Sequence, residues 1–220
     1  MIGDANDQQK LLNMRGLGRQ EFMMKGKICN RRAFLAAFGA MPFVFAGSAR
    51  AHQEPPFEMP KDYLPTLVDL QVTLSPGMIH VFPDQFRLYL TLPDNQALRY
   101  TVGVGRPGLY HAGQFTIGAK REWPSWRPTP AMIARNPDAY AQYADGVPGG
   151  VDNPLGARAL YLFNDAGQDT ALRIHGTNQP RTIGTAVSNG CARLTNEHIT
   201  DLYDRVSLGA QVFLHAQIEA

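Results

Sequence analysis

Residues 175–203 read HGTNQPRTIGTAVSNGCARLTNEHITDLY, and the rest of the chain has to fold so as to serve this stretch. It opens with His175-Gly176 at the end of an alternating segment, residues 170–175, which predicts a strand. It closes in a helix. Thr195 is placed to cap that helix, and Ile199, Leu202, Tyr203 and Val206 follow at i, i+3, i+4 and i+7, a single buried face. His198 falls between the buried positions and is expected to be exposed. Gly209 ends the helix, and residues 211–215 return as a last strand. Cys191 lies 16 positions after His175, just before the capped helix. Pro180 and Gly184 in the intervening segment let the chain turn back and bring thiol and imidazole together.

Moving outward, the upstream pattern is mostly period two. Val68, Leu70, Val72 and Leu74 alternate with polar residues, predicting a strand over 68–74. Residues 78–82 and 86–92 form two more, joined by Pro83-Asp84-Gln85 as a hairpin connection. Further strands are predicted over 98–104, 114–120 and 159–164, punctuated by Gly156, Gly167 and Gly176. Residues 123–155 differ: rich in Pro and Gly, they allow only short helices near 131–135 and 138–143. So long an irregular segment is either a lid or binding loop or a structural Ω-loop. Trp123 and Trp126 within it read as core anchors, with a sugar or peptide groove as the alternative. The fold class is mainly β, a sandwich-like domain with a few short helices, over residues 67–217.

Composition narrows the function. Hydrophobic residues make up 44% and charged residues 18% of 220, enough to bury a core. The formal net charge is +2, with no basic block outside the early segment, so nucleic-acid binding has no electrostatic footprint. No apolar run reaches the roughly 18–20 residues of a membrane span. A zinc site needs about four clustered ligands. One cysteine outside the early segment and dispersed histidines (His80, His111 and His215 show no partner spacing) give none, so no metal and no cofactor are expected.

The first 51 residues carry a targeting pattern. Lys25, Lys27, Arg31 and Arg32 precede an apolar run from Ala33 to Gly47, and Ala49-Arg50-Ala51 has the small-x-small form of a cleavage site. Arg31-Arg32 followed by Phe34-Leu35 resembles a twin-arginine signal. Residues 52–66 then read as a linker. Export places the mature chain in the periplasm or cell envelope, where a lone thiol is unusual. Of the two cysteines, only Cys191 would remain after cleavage, which suggests a reactive group or an intermolecular bridge.

A thiolate attacks carbonyls once an imidazole and an electropositive setting deprotonate it. Arg193 and the following helix N-terminus favour a thiolate at Cys191. The turn Asn189-Gly190-Cys191 can aim backbone N–H groups at a developing oxyanion. A backbone carbonyl at Gly176 or Thr177 can orient His175. Taken alone, these residues leave a second reading open, a buried structural thiol beside a hydrogen-bonded core histidine.

The segment 175–203 resembles the signature of the L,D-transpeptidase catalytic domain (YkuD) family: His-Gly, a spacer, then Ser-His-Gly-Cys-x-Arg and a helix. VGVGRPGLYHAGQFTIG and PGGVDNPLGARALYLF upstream are similar to the family's preceding segments. The resemblance covers about residues 68–215. It implies Cys191 as nucleophile, His175 as base and Gly176 as the orienting carbonyl. It also implies amides of Asn189–Cys191 as the oxyanion hole, with Ser188 and Arg193 supporting the turn. Two departures stand out: Asn189 replaces the usual His, and His111-Ala112 replaces the usual Thr-Pro.

The implied partners are peptidoglycan stem peptides, with a diamino acid side chain or an envelope lipoprotein as acyl acceptor. The implied reaction releases D-Ala from a tetrapeptide stem and transfers the acyl group. The rivals are an L,D-carboxypeptidase using the same Cys–His pair and a non-catalytic envelope-binding module. The export reading has its own test: replacing Arg31 and Arg32 with Lys blocks export if the twin-arginine route is used, and unchanged export in a fractionation assay refutes it.

Overall fold

The computed structural model describes residues 57–218. The targeting pattern and Cys29 lie outside them. A 3-10 turn at Lys61–Tyr63 leads into β1 (Thr66–Asp69), followed by β2 (Ile79–Phe82), β3 (Arg87–Leu92), β4 (Gln96–Thr101), β5 (Val104–Gly105) and β6 (Gly113–Glu122). Two short helices, α1 (Pro130–Arg135) and α2 (Pro137–Tyr140), precede β7 (Arg158–Phe163) and β8 (Asp169–His175). The chain ends with β9 (Ala186–Ser188), β10 (Ala192–Arg193), α3 (Asn196–Arg205) and β11 (Gln211–Leu214).

Nine strands form one sheet in the order β1-β4-β3-β2-β11-β6-β7-β8-β10, while β5 and β9 make a separate parallel pair. The last strand is the seam: β11 runs parallel to β2 and antiparallel to β6, joining the two halves. The halves also meet across the molecule, because Gly103 and Arg193 exchange both backbone hydrogen bonds at 2.9 and 2.8 Å. One continuous core results, with Ile79, Leu88 and Tyr100 from one half beside Leu160, Ile174 and Leu194 from the other. This is the sandwich-like, mainly β arrangement expected.

The hairpin at residues 83–85 is a 3-10 turn closed by Phe86 in the left-handed region (φ 53°). Two expected strands are shorter than their alternation suggests. β1 stops at Asp69 because its partner β4 begins at Gln96, so the ladder runs out of register positions. The strand expected over 98–104 breaks after Thr101: Val102 N–H donates to Phe86, and Val104–Gly105 pairs with β9 instead.

Helix α3 buries Ile199 and Leu202 as predicted, with Val206 buried just past its end. Thr195 caps it, its hydroxyl accepting from His198 N–H at 3.2 Å. Lys120 Nζ donates to the Tyr203 and Val206 carbonyls at 2.5 and 2.7 Å, satisfying the C-terminal end with a cation. His198 is not exposed. It is 4% accessible, because the helix lies low enough for its ring to reach the Tyr100 ring from β4 at 6.3 Å.

Nor is His80 without a partner. Its Nδ1 lies 3.1 Å from His215 Nε2, and its ring stacks on Phe213 at 4.7 Å while His215 stacks on Phe82 at 4.2 Å. Burial, aided by His215, pulls His80 down to about 4. Below its ordinary value near 6.5 the unfolded chain takes up a proton that the native chain refuses, so stability falls with pH. The melting temperature is expected to drop between pH 7 and 5, above the range where the carboxylates titrate. His80→Phe keeps the stack and should lessen the drop; an identical decline in the variant rules this source out.

Candidate active site

β8 and β10 pair in parallel, with Ala192 opposite Ile174 and Arg193 opposite His175. Side chains alternate along a strand, so this register sorts the segment into two faces. Ile174, Ala192 and Leu194 point into the core, while Arg173, His175, Cys191 and Arg193 line a cavity of about 1070 Å³. The 15 intervening residues fold back as the sequence requires.

His175 is buried, and its Nδ1 lies 2.6 Å from the Gly176 carbonyl. A carbonyl oxygen only accepts, so Nδ1 carries the hydrogen and Nε2 of the neutral ring is left basic. Burial is the main force pulling His175 down to about 3; Arg193 and Arg173 add to it, against the Gly176 and Leu155 carbonyls. The Cys191 thiol is half-buried, its Sγ 4.0 Å from the Ala171 carbonyl. Burial raises it above its ordinary value, and Arg173 and Arg193 oppose the rise. At neutral pH the pair therefore rests as thiol and imidazole, with two guanidinium groups ready to stabilise a transient thiolate.

The nucleophile turn is tightly constrained. Ser188 Oγ donates to the Cys191 carbonyl at 2.7 Å and accepts from Gly190 N–H at 3.2 Å. Of the three amides expected to face an oxyanion, that of Gly190 is thus already engaged, leaving Asn189 and Cys191 to supply the donors. Gly190 has φ 125°, and a Cβ there would lie 2.8 Å from the Leu109 carbonyl, so no other residue fits. Arg193 is 8% accessible, and its Nε and Nη2 have no hydrogen-bond partner among the described residues.

The segment 123–155 forms the outer wall of the cavity. It closes on itself through Trp126 and Val147, which exchange backbone hydrogen bonds, and through Asn153, whose amide donates to the Val147 and Pro148 carbonyls. It also presents Trp126, Met132, Arg135 and Tyr140 to the cavity. The tryptophans are not core anchors: Trp123 is 44% accessible, and Trp126 packs edge-on against Tyr143 beside the opening.

The L,D-transpeptidase catalytic domain (YkuD) family model matches residues 76–214. The chain belongs to this family. "Probable L,D-transpeptidase ErfK/SrfK" of Escherichia coli (strain K12) is 33% identical over 152 residues, covering 68% of this chain and 47% of that protein. "Probable L,D-transpeptidase YbiS" of the same strain is 31% identical over 160 residues, covering 71% and 50%. The chain thus spans about half the length of the curated relatives it matches. A solved structure described as a "Probable carnitine operon oxidoreductase caia" from Brucella melitensis is 44% identical, covering 76% of this chain and 96% of that one, with a TM-score of 0.47. A likeness at that TM-score carries no argument about chemistry here. Residues 103–108 do spell Gly-x-Gly-x-x-Gly, but they lead from β5 through a turn into β6 rather than into a helix, so no dinucleotide cradle forms.

Several residues of this L,D-transpeptidase domain were not legible from spacing. Asn196 Oδ1 accepts from Ala157 and Thr177 N–H at 2.9 and 3.2 Å, pinning the turn that carries His175 and Gly176. A Cβ on Gly176 would lie 2.3 Å from that oxygen. His111 faces the cavity beside Gly190. Arg173 sits next to the thiol only because of the β8–β10 register. A raised thiol has a direct consequence: the rate of Cys191 alkylation by iodoacetamide should still climb above pH 9. A rate that is already flat from pH 6 would show a resting thiolate and contradict this electrostatic account.

Proposed function

We propose that the chain is a peptidoglycan L,D-transpeptidase of the cell envelope, a cysteine acyltransferase. The observation that carries the reading is that one cavity is lined by both Cys191 and a neutral His175, whose Nδ1–H is tied to Gly176 so that Nε2 is left to take a proton. His175 removes the thiol proton, and the sulfur attacks the carbonyl of the L-centre of the third residue in a tetrapeptide stem. The amides of Asn189 and Cys191, with Arg193, stabilise the oxyanion. As the intermediate collapses, the bond to D-Ala breaks, His175 returns its proton to the leaving amine, and a thioester remains. An amine then attacks the thioester, giving up its proton to His175, and the thiol is regenerated.

The acceptor is a diamino acid side chain, giving a 3→3 cross-link, or a lysine of an envelope lipoprotein; water as acceptor would make the product a tripeptide. The test is product and intact-mass analysis of the full chain with a tetrapeptide-stem muropeptide, alongside Cys191→Ala. D-Ala release with a transient acyl adduct and cross-linked dimer is expected only with Cys191 present, and tripeptide without dimer would identify a carboxypeptidase. An untouched substrate, where another L,D-transpeptidase consumes it, would end the reading in favour of envelope binding.

A further inference from the structure

Asn189, two residues before the nucleophile, has an unusual set of partners. Its side-chain oxygen accepts from Arg106 Nη2 at 3.1 Å and from Arg135 Nη2 at 2.7 Å, while its amide nitrogen donates to the Tyr140 hydroxyl at 2.8 Å. The two cations come from unrelated segments: Arg106 follows β5, and Arg135 ends α1. Both are exposed, and neither has a carboxylate partner among the described residues, where the ion pairs are Arg158–Glu122, Arg173–Asp169 and Arg205–Asp201.

Two like charges held on one amide oxygen repel each other, and a neutral dipole offsets that only in part. The surroundings add to the imbalance. The cavity is lined by Arg127, Arg135, Arg173 and Arg193 against the single carboxylate of Asp152. A carboxylate is the planar acceptor that guanidinium forks match bidentately, and it brings the negative charge that the amide oxygen lacks.

We infer that Arg106 and Arg135 form a carboxylate-recognition subsite at the mouth of the cavity, held open in the free protein by Asn189. The inference rests on the proposed reading, in which the ligand is a stem peptide. A stem carboxylate takes the place of the Asn189 oxygen between the two guanidinium groups. Specificity follows, since a stem amidated at that carboxylate keeps its shape but loses the charge. Because Arg135 and Tyr140 belong to the 123–155 wall, the same contact draws that wall onto the bound stem.

The test separates binding from turnover. The full chain carrying Cys191→Ala is titrated by calorimetry with a tetrapeptide stem and with three versions amidated singly at the glutamate, diamino acid or terminal alanine carboxylate. One amide is expected to bind about tenfold more weakly than the free acid, the loss of one charge-assisted contact, and its position identifies the carboxylate. Adding Arg135→Gln should remove the discrimination. Adding Asn189→Asp, which places a carboxylate of the protein's own in the fork, should weaken the free acid about as much while raising the melting temperature. Equal binding of all four ligands, unchanged by Arg135→Gln, overturns the subsite; if wild type still releases D-Ala, the transpeptidase reading survives it. Discrimination without any D-Ala release sustains the subsite and sinks the transpeptidase reading, and absence of binding by every stem overturns both.

Discussion

The parallel pairing of β8 with β10 is the constraint on which the site depends. It is only two residues long on the β10 side, yet it places four side chains of chemistry on one face and three of the core on the other. A slip of β10 by one residue would reverse its face, sending Cys191 and Arg193 inward and Ala192 and Leu194 into the cavity. The register is therefore held from both sides. Leu194 N–H donates to the His175 carbonyl at 2.9 Å, and Arg193 is bonded to Gly103 across the molecule. The segment 174–194 keeps its place because a large apolar core, to which it contributes Ile174, Ala192 and Leu194, would have to be broken to move it.

The same burial sets the electrostatics. Removing water from His175 and Cys191 favours the uncharged form of each, and that outweighs the hydrogen bond to Gly176 on one and the nearby guanidinium groups on the other. A buried ion pair at rest would need full compensation for its lost hydration. Here the cations are in place and the thiolate is not, so charge forms only as the proton moves. Arg193, buried with part of its guanidinium unpartnered, keeps a positive field beside Cys191.

Much of this was written in the chain in local terms. The capped helix after Cys191, the hairpin at residues 83–85 and the order of strands follow from period and punctuation, which act between near neighbours. What local pattern does not contain is partnership. Residues 70–74 alternate as a strand should, but no ladder is there to receive them. His80 and His215 are 135 positions apart and meet only because β11 inserts beside β2. His198 has the position of an exposed residue on its helix, and only the depth at which that helix packs on Tyr100 buries it. Cys191, His175, Gly176, Ser188, Gly190 and Arg193 sit close together in sequence, whereas Asn196, Arg173, Arg106 and Arg135 reach the same region only through the fold.

The two walls of the cavity are stabilised by different means, and this bears on how a peptide can enter. The inner wall is strand backed by core. The outer wall, residues 123–155, buries no side chain in α1 or α2. It is held by the Asn153 staples, one isolated backbone bridge and the Asn189 contacts with Arg135 and Tyr140. Segments with few buried apolar contacts open locally at lower free energy than the core. The turn before Cys191 can therefore stay fixed while the wall opposite it yields. Asn189 belongs to that turn and grips that wall, so it is the point at which a ligand arriving at the wall is felt beside the thiol.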